Sequence, residues 1–235
     1  MKIYKRILLK LSGEVLQGQK SFGIDDIALT KLVKELIEIH NDGVQICIVT
    51  GGGNFFRGAS TVANKMNRVQ ADSIGMLATI QNSIALYEKF NELNTESVIF
   101  ASQNIGNIGT IFNSAKAKSA LKNKVITIFG GGTGNPFFTT DTAAVLRALE
   151  TDSEIVIKGT KVNGIYNKDP RKYKDAKLFK TISFDKYIKL NLKVMDLTSI
   201  TLAREFQLPI KVFNIKKSGN IKKAVYDENF GSIVT

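Results

Sequence analysis

Three apolar runs in this chain end in a glycine-containing turn: "LLKLSGE" (8–14), "IVTGGGN" (48–54) and "TIFGGGTGN" (127–135). Each run reads as a buried strand, and glycine breaks it. Between them lie patterns of helical period. Ile27, Leu32, Val33, Leu36, Ile37 and His40 recur at helical spacing after Asp25 or Asp26 as a cap, and "NRVQADSIGMLATIQNSIALYEKFNEL" (67–93) is a long helix. A short helix is expected near Ser114–Leu121, and "TDTAAVLRALE" (140–150) is another, with Asp141 or Thr140 as its cap. Strands "ESVIFAS" (96–102), "SEIVIKGT" (153–160) and "PIKVFNI" (209–215) complete the alternation, and "GSIVT" (231–235) is a last strand. "KVNGIYNKDP" (161–170) reads as a hairpin or loop, and "MDLTSITLAREFQ" (195–207) as a helix. Strands that alternate with helices predict an α/β fold: a three-layer α/β/α sandwich around a largely parallel sheet.

Parallel strands bring their carboxyl ends, and so all three glycine turns, to one edge of the sheet, where open α/β sheets bind ligands. Bare backbone N–H groups with helix N-termini behind them seat phosphates. The 235 residues carry 33 Lys and Arg against 21 Asp and Glu, a net charge of +12 that favours phosphorylated or polyanionic partners. The lysines are dispersed rather than gathered into a tail. A nucleic-acid binder is therefore one reading, but it has no use for carboxylates beside the glycine turns. No apolar run reaches a membrane-spanning length, and "MKIYKRILLKLSGE" (1–14) reads as a first strand of a cytoplasmic protein rather than a leader. The single cysteine, Cys47, sits in an apolar run and reads as an inert buried thiol. The single histidine, His40, reads as a charge at a helix C-terminus, so Ser–His and Cys–His catalysis have no base. No P-loop, G-x-G-x-x-G or protein-kinase signature is present.

Individual residues narrow the chemistry. Lys10 ends a buried run just before "SG", either as an edge lysine reaching solvent or as an ammonium held over phosphate oxygens. Arg57, after "GGGNFF", is either a surface arginine or a bidentate phosphate ligand. Asp141 follows an anion-seating loop; besides capping, it can orient a lysine or face a Mg²⁺ ion. Phe137 and Phe138 are either core or the walls of a base site, with Thr139 and Thr140 reading the base's edge. Asp72 lies among apolar neighbours and needs a partner, a ribose diol or a lysine; Asp169 precedes Pro170 in a turn.

Together "LLKLSGE", "GGGNFFRG", "MNRVQADSIGMLAT", "GTGNPFFTTDTAA", "TKVNGIYNKDP" and "KVMDLTSITLAREFQLPIKVFN" resemble the bacterial UMP kinases of the amino-acid-kinase family, from about Tyr4 to Thr235. The resemblance implies a single domain of that fold over 1–235, with a UMP-binding lobe (about 1–150) and an ATP-binding lobe (about 151–235). It implies phosphoryl transfer from ATP to UMP with Mg²⁺ carried mainly on the nucleotide phosphates. ATP contacts map to Lys10, Leu11, Ser12, Gly13, Gly53, Arg57, Thr160, Tyr166 and Asp169. UMP contacts map to Gly52, Asp72, Thr133, Gly134, Asn135, Pro136, Phe137, Phe138, Thr139 and Thr140. Lys10, Arg57 and Asp141 would be catalytic. Family members are usually homohexamers, and many respond to GTP and UTP; neither nucleic acid nor membrane is an implied partner. Two departures stand out: Asn163 where the family usually has aspartate, and Ser21 where glycine is frequent ahead of Phe22, Gly23, Ile24 and Asp25. A kinase of the same fold acting on a small carboxylate is the remaining rival, and it gives no reason for "NPFFTT" (135–140).

Overall fold

Strand β1 (Arg6–Leu11) lies at the centre of the sheet because its run is apolar on both faces. In the computed structural model, which describes residues 4–56 and 65–235, β1 pairs in parallel with β2 (Gln45–Thr50) on one side and β6 (Ile155–Thr160) on the other. Outward from β2 come β5 (Ile126–Gly130), β3 (Ser97–Ala101) and the short β4 (Thr110–Ile111), all parallel. Outward from β6 come β10 (Ile210–Asn214), then β11 (Ser232–Val234), antiparallel to it, and β9 (Thr181–Ile182) at the edge. The expectation of a largely parallel sheet is met. "KVNGIY" contributes β7 (Ile165–Tyr166), which pairs antiparallel with β8 (Leu178–Phe179) outside the main sheet.

Alternation along each strand sorts side chains into two cores. Ile7, Leu9 and Leu11 face helices α1 (Gly13–Gln17), α2 (Asp26–Asn41), α3 (Arg68–Glu92) and α8 (Asn220–Tyr226). Leu8, with Cys47 and Val49 of β2, faces α4 (Ser114–Lys122), α5 (Thr140–Glu150), α6 (Phe184–Lys189) and α7 (Leu197–Glu205). Three layers result. β1 and β6, from opposite sides of residue 150, are hydrogen-bonded neighbours, so the sheet runs on across the expected lobe boundary.

Several local expectations need revision. "SGE" does not simply end β1: Ser12 caps α1, its hydroxyl accepting from the Glu14 N–H. Asp25 is the cap of α2, yet Ile27, assigned to its apolar face, is 67% exposed, while Ile39 is buried in its stead. His40 does sit in the last turn of α2, but burial depresses its pKa, so it adds no charge at neutral pH. Cys47 is buried, and burial pushes its thiol pKa up, as an inert side chain requires.

β11 reaches its place beside β10 through Gly231, whose φ of +82° is left-handed. A Cβ there would lie 2.4 Å from the Val212 carbonyl oxygen. Gly231→Ala is therefore expected to cost about 1–3 kcal/mol and lower the thermal midpoint by several degrees. A melting curve checks it.

Candidate active site

Residues 10 and 158 sit directly opposite one another on β1 and β6. Both are lysines, and both share the sheet face of Leu8 and Val156, the face covered by α5. Two ammonium groups side by side in a protein interior repel and need an anion between them. Asp141, in the first turn of α5, supplies it: Lys10 Nζ lies 2.7 Å from Oδ1 and Lys158 Nζ 2.5 Å from Oδ2. The Lys158 contact is an aligned hydrogen bond; the Lys10 contact is ionic, without that alignment. Each of the three residues is only 8% exposed. Burial alone would raise the Asp141 pKa, but the two ammonium groups outweigh it and hold the carboxyl at about 2. Burial, with Lys10 alongside, brings Lys158 down to about 8 despite the carboxylate beside it. Lys158 also donates to the Val194 carbonyl.

The helix start that carries Asp141 is clamped. Its cap is Thr139, not Thr140 or Asp141: the Thr139 hydroxyl accepts from the Asp141 N–H at 3.0 Å and donates to Asp196. The Thr142 hydroxyl donates to the other oxygen of Asp196 at 3.0 Å, and that oxygen accepts from the Ser199 N–H at 2.8 Å, capping α7. One carboxylate thus ties together the N-termini of α5 and α7.

The glycine turns converge on this triad. The Gly51 N–H donates to the Leu11 carbonyl at 2.8 Å, joining the second turn to the first. On its open side Gly51 faces the Gly13 nitrogen and the Thr140 hydroxyl. Gly52 lies flat on α3, where a Cβ would stand 2.7 Å from the Ala78 Cβ and 2.8 Å from the Gly75 carbonyl oxygen. The third turn is fixed by α3 and β3: Thr79 accepts from the Gly131 N–H at 2.8 Å, and the Ser102 hydroxyl donates to the Gly131 carbonyl at 2.7 Å. Lys10, Gly52 and Thr140 therefore belong to one locality.

On one side of the triad opens a cleft of about 1400 Å³ lined by Lys10, Ser12, Lys158, Thr160, Tyr166 and Asp169. Leu11 is wholly buried in β1, so only its backbone can serve a ligand, and Gly13 is packed inside the first turn. Gly53 lies in the turn that follows β2. Asp169 is held by Arg171 at 3.0 Å, which lowers its pKa. Asn163, the departure from the family pattern, accepts from Asn214 at 3.0 Å, a bond that an aspartate could also accept. Glu14 and Lys161 form an ion pair of 2.5 Å across the cleft wall.

The segment 133–140, which leads into Asp141, does not line this cleft. Thr133 and Asn135 bond within the turn, and Gln103 donates to the Gly134 carbonyl at 2.9 Å. Pro136 leads into Phe137, which holds a left-handed φ of +72°. Phe137 and Phe138 are 66% and 49% exposed, so they are not core. Asp72 has no lysine beside it among the described residues: it accepts from the Phe137 N–H at 2.7 Å and pairs with Arg68 at 2.8 Å. Arg57 lies outside the described residues. Lys158 and Asp196 were not singled out from sequence. For Lys158 a signal existed, a lysine inside "EIVIKGT" just as Lys10 stands inside "RILLKL"; for Asp196 nothing distinguished an ordinary cap.

With this geometry in hand, similarity places the chain. The sequence model of the Amino acid kinase family matches residues 5–214, and the chain belongs to that family. More narrowly, it is similar over nearly its whole length to the uridylate kinase of Buchnera aphidicola subsp. Acyrthosiphon pisum: 45% identical over 234 residues, 99% of this chain and 97% of that protein. Among solved structures, the UMP kinase from Bacillus anthracis superposes with a TM-score of 0.94 at 34% identity, covering 99% of this chain and 96% of that one. The UMP kinase from Ureaplasma parvum does so with a TM-score of 0.90 at 34% identity, covering 98% of each.

The depressed Asp141 pKa predicts an acid transition. Its contribution to stability is complete above the unfolded value of 3.8 and is lost as pH falls through about 2. The shift corresponds to roughly 2 kcal/mol. Unfolding free energies measured between pH 5 and 2 should show this loss, and Asp141→Asn should remove that part of the slope.

Proposed function

We propose that the chain transfers the γ-phosphoryl group of ATP to UMP, giving ADP and UDP. The observation that carries this reading is the buried Lys10–Asp141–Lys158 triad at the meeting point of three glycine turns. A large cleft opens beside it, and the "NPFFTT" segment, with Phe137 and Phe138 exposed, leads directly into Asp141. The full-length similarity to uridylate kinases supplies the substrate pair.

In this reading ATP lies in the cleft against Ser12, Thr160, Tyr166 and Asp169, with the Leu11, Gly13 and Gly53 backbone near its phosphates. UMP lies against Gly52 and residues 133–140, its base between Phe137 and Phe138 and its ribose near Asp72. The donor lobe is then about 151–235 and the acceptor lobe about 1–150. An oxygen of the UMP phosphate attacks the γ-phosphorus as the bond to the β–γ bridging oxygen breaks, and ADP leaves with those electrons. The nucleophile is already an anion, so no general base is needed. Catalysis then consists of positioning and of positive charge at the transferring group. Lys10 and Lys158 supply that charge, Asp141 fixes their ammonium groups in place, and Arg57 is assigned to the phosphates.

Mg²⁺ belongs to this reading as an ion that would arrive with the nucleotide and would lower the charge on its phosphates. The donor set fits an ion carried by the nucleotide. Both oxygens of Asp141 are engaged by lysines, and among the described residues no group of three His, Cys, Asp or Glu side chains could hold a metal. By family resemblance the proposal extends to a cytoplasmic homohexamer that serves pyrimidine nucleotide synthesis. Among the described residues no helix is long and apolar enough to cross a membrane.

A coupled ADP-release assay against UMP, CMP, dUMP and acetylglutamate tests the reading. Turnover is expected with UMP; equal turnover of CMP would remove the selector role of 133–140, and turnover of acetylglutamate alone would overturn the assignment. Asp141→Asn is expected to lower kcat by at least about a hundredfold in a folded protein, since two phosphate-facing ammonium groups lose their anchor. kcat/KM for ATP should fall as pH rises through about 8, where Lys158 gives up its proton. Lys158→Arg, which keeps its charge, should lose that limb from whatever activity it retains.

A further inference from the structure

Two asparagine side chains that the reaction scheme leaves unused form a closed pair beneath the second glycine turn. Asn54 follows that turn and Asn82 lies on α3; they are 3% and 0% exposed. Each amide donates to the other's Oδ1 at 2.8 Å. The second N–H of Asn82 goes to the Gly51 carbonyl at 2.7 Å, and that of Asn54 to the Gly23 carbonyl at 3.0 Å. All four amide protons are used, as a buried polar network requires. The first glycine turn rests on the same pair: a Cβ on Gly13 would fall 2.2 Å from Asn54 Oδ1 and 2.6 Å from the Gly51 carbonyl oxygen.

The bond to Gly51 has a directional consequence. No peptide bond among the described residues is cis, and in a trans peptide the C=O and N–H of one unit point in opposite directions. Asn82 draws the Gly51 carbonyl inward, so the Gly52 N–H points away from Asn82, out of the packing surface of α3. The Gly52 carbonyl is already occupied, accepting from the Phe55 and Phe56 N–H groups at 3.0 and 2.9 Å. Its N–H donates to no described group. Rotating this peptide would bury that donor and expose an acceptor, which repels phosphate.

We propose that Asn82, braced by Asn54, is a positioning residue for the acceptor phosphate: it holds the Gly51–Gly52 peptide so that the Gly52 N–H faces the phosphate of UMP. This rests on the UMP kinase reading. Asn82 touches no substrate and acts through the peptide it holds.

The two asparagines can be separated by mutation. In Asn82→Asp the carboxylate still accepts from Asn54 but faces the Gly51 carbonyl without a proton to give. In Asn54→Asp the Asn82 amide can still donate to Gly51, and the repulsion falls on the Gly23 carbonyl and Asn82 Oδ1 instead. Steady-state kinetics and calorimetric UMP binding on the full chain, with thermal midpoints, compare the two. Asn82→Asp is expected to raise the UMP KM and the UMP dissociation constant at least about tenfold while the ATP KM stays within about twofold. Asn54→Asp is expected to shift the UMP constants much less at a similar loss of thermal midpoint. Unmoved UMP constants in folded Asn82→Asp, or equal shifts in both variants that track lost stability, would overturn the proposal and leave a packing role. Should Asn82→Asp not fold, the ¹⁵N-labelled Gly52 amide of the unaltered protein decides: it should shift on addition of UMP, and an unmoved signal overturns the proposal. Absence of UMP turnover in the unaltered protein would overturn the kinase reading and this inference together. Normal turnover with unmoved Asn82→Asp constants would overturn the inference alone.

Discussion

Two lysines set side by side on central strands are a liability that only a precisely placed anion removes. Moving a charge from water into a protein interior costs several kcal/mol after relaxation, and like charges on neighbouring strands add to it. Asp141 offsets both terms, and its own placement explains much of the architecture around it. α5 must begin just past the ends of β1 and β6. Its first turn must be held still, which the Thr139, Thr142 and Asp196 contacts accomplish. The helix N-terminus adds a favourable field for the carboxylate. The three-layer arrangement does more than bury apolar surface; it delivers a carboxylate into the gap between two ammonium groups.

The alternation of apolar runs and helical patterns carried most of the fold, because buried parallel strands leave a signature that solvent-facing strands do not. Strand order was not legible in the same way. Nothing local in "KRILLKL" shows that it pairs with both "VQICIVT" and "SEIVIKGT"; that pairing is settled by which helices cover which face. Ile27 misled for a related reason. It falls on helical period with Leu32 and Val33, but α2 turns that position outward and buries Ile39 instead. His40 misled because burial, invisible in the local sequence, removes the charge that its place at a helix end suggested.

At the site, residues in glycine turns were readable, since a bare backbone before a helix has a physical purpose that sequence exposes. Residues whose importance comes from what they face across the sheet were not. Lys158 acquires its meaning from Lys10 opposite, and Asp196 from two threonines on another helix. Asp72 shows the converse. Its need for a partner was legible, and Arg68 stands at i,i+4 spacing; but its second partner is the backbone of Phe137, set by a left-handed turn that no spacing rule announces.

The triad also leaves a remainder. Two ammonium groups against one carboxylate leave positive charge that Asp196, at the start of α7, offsets only from a distance. Such a surplus strains the resting protein, and any polyanion lodged beside it relieves that strain. Conformational firmness and substrate capture consequently draw on the same electrostatic imbalance, so a sequence change that made the interior neutral would settle the fold while dulling its appetite for phosphate.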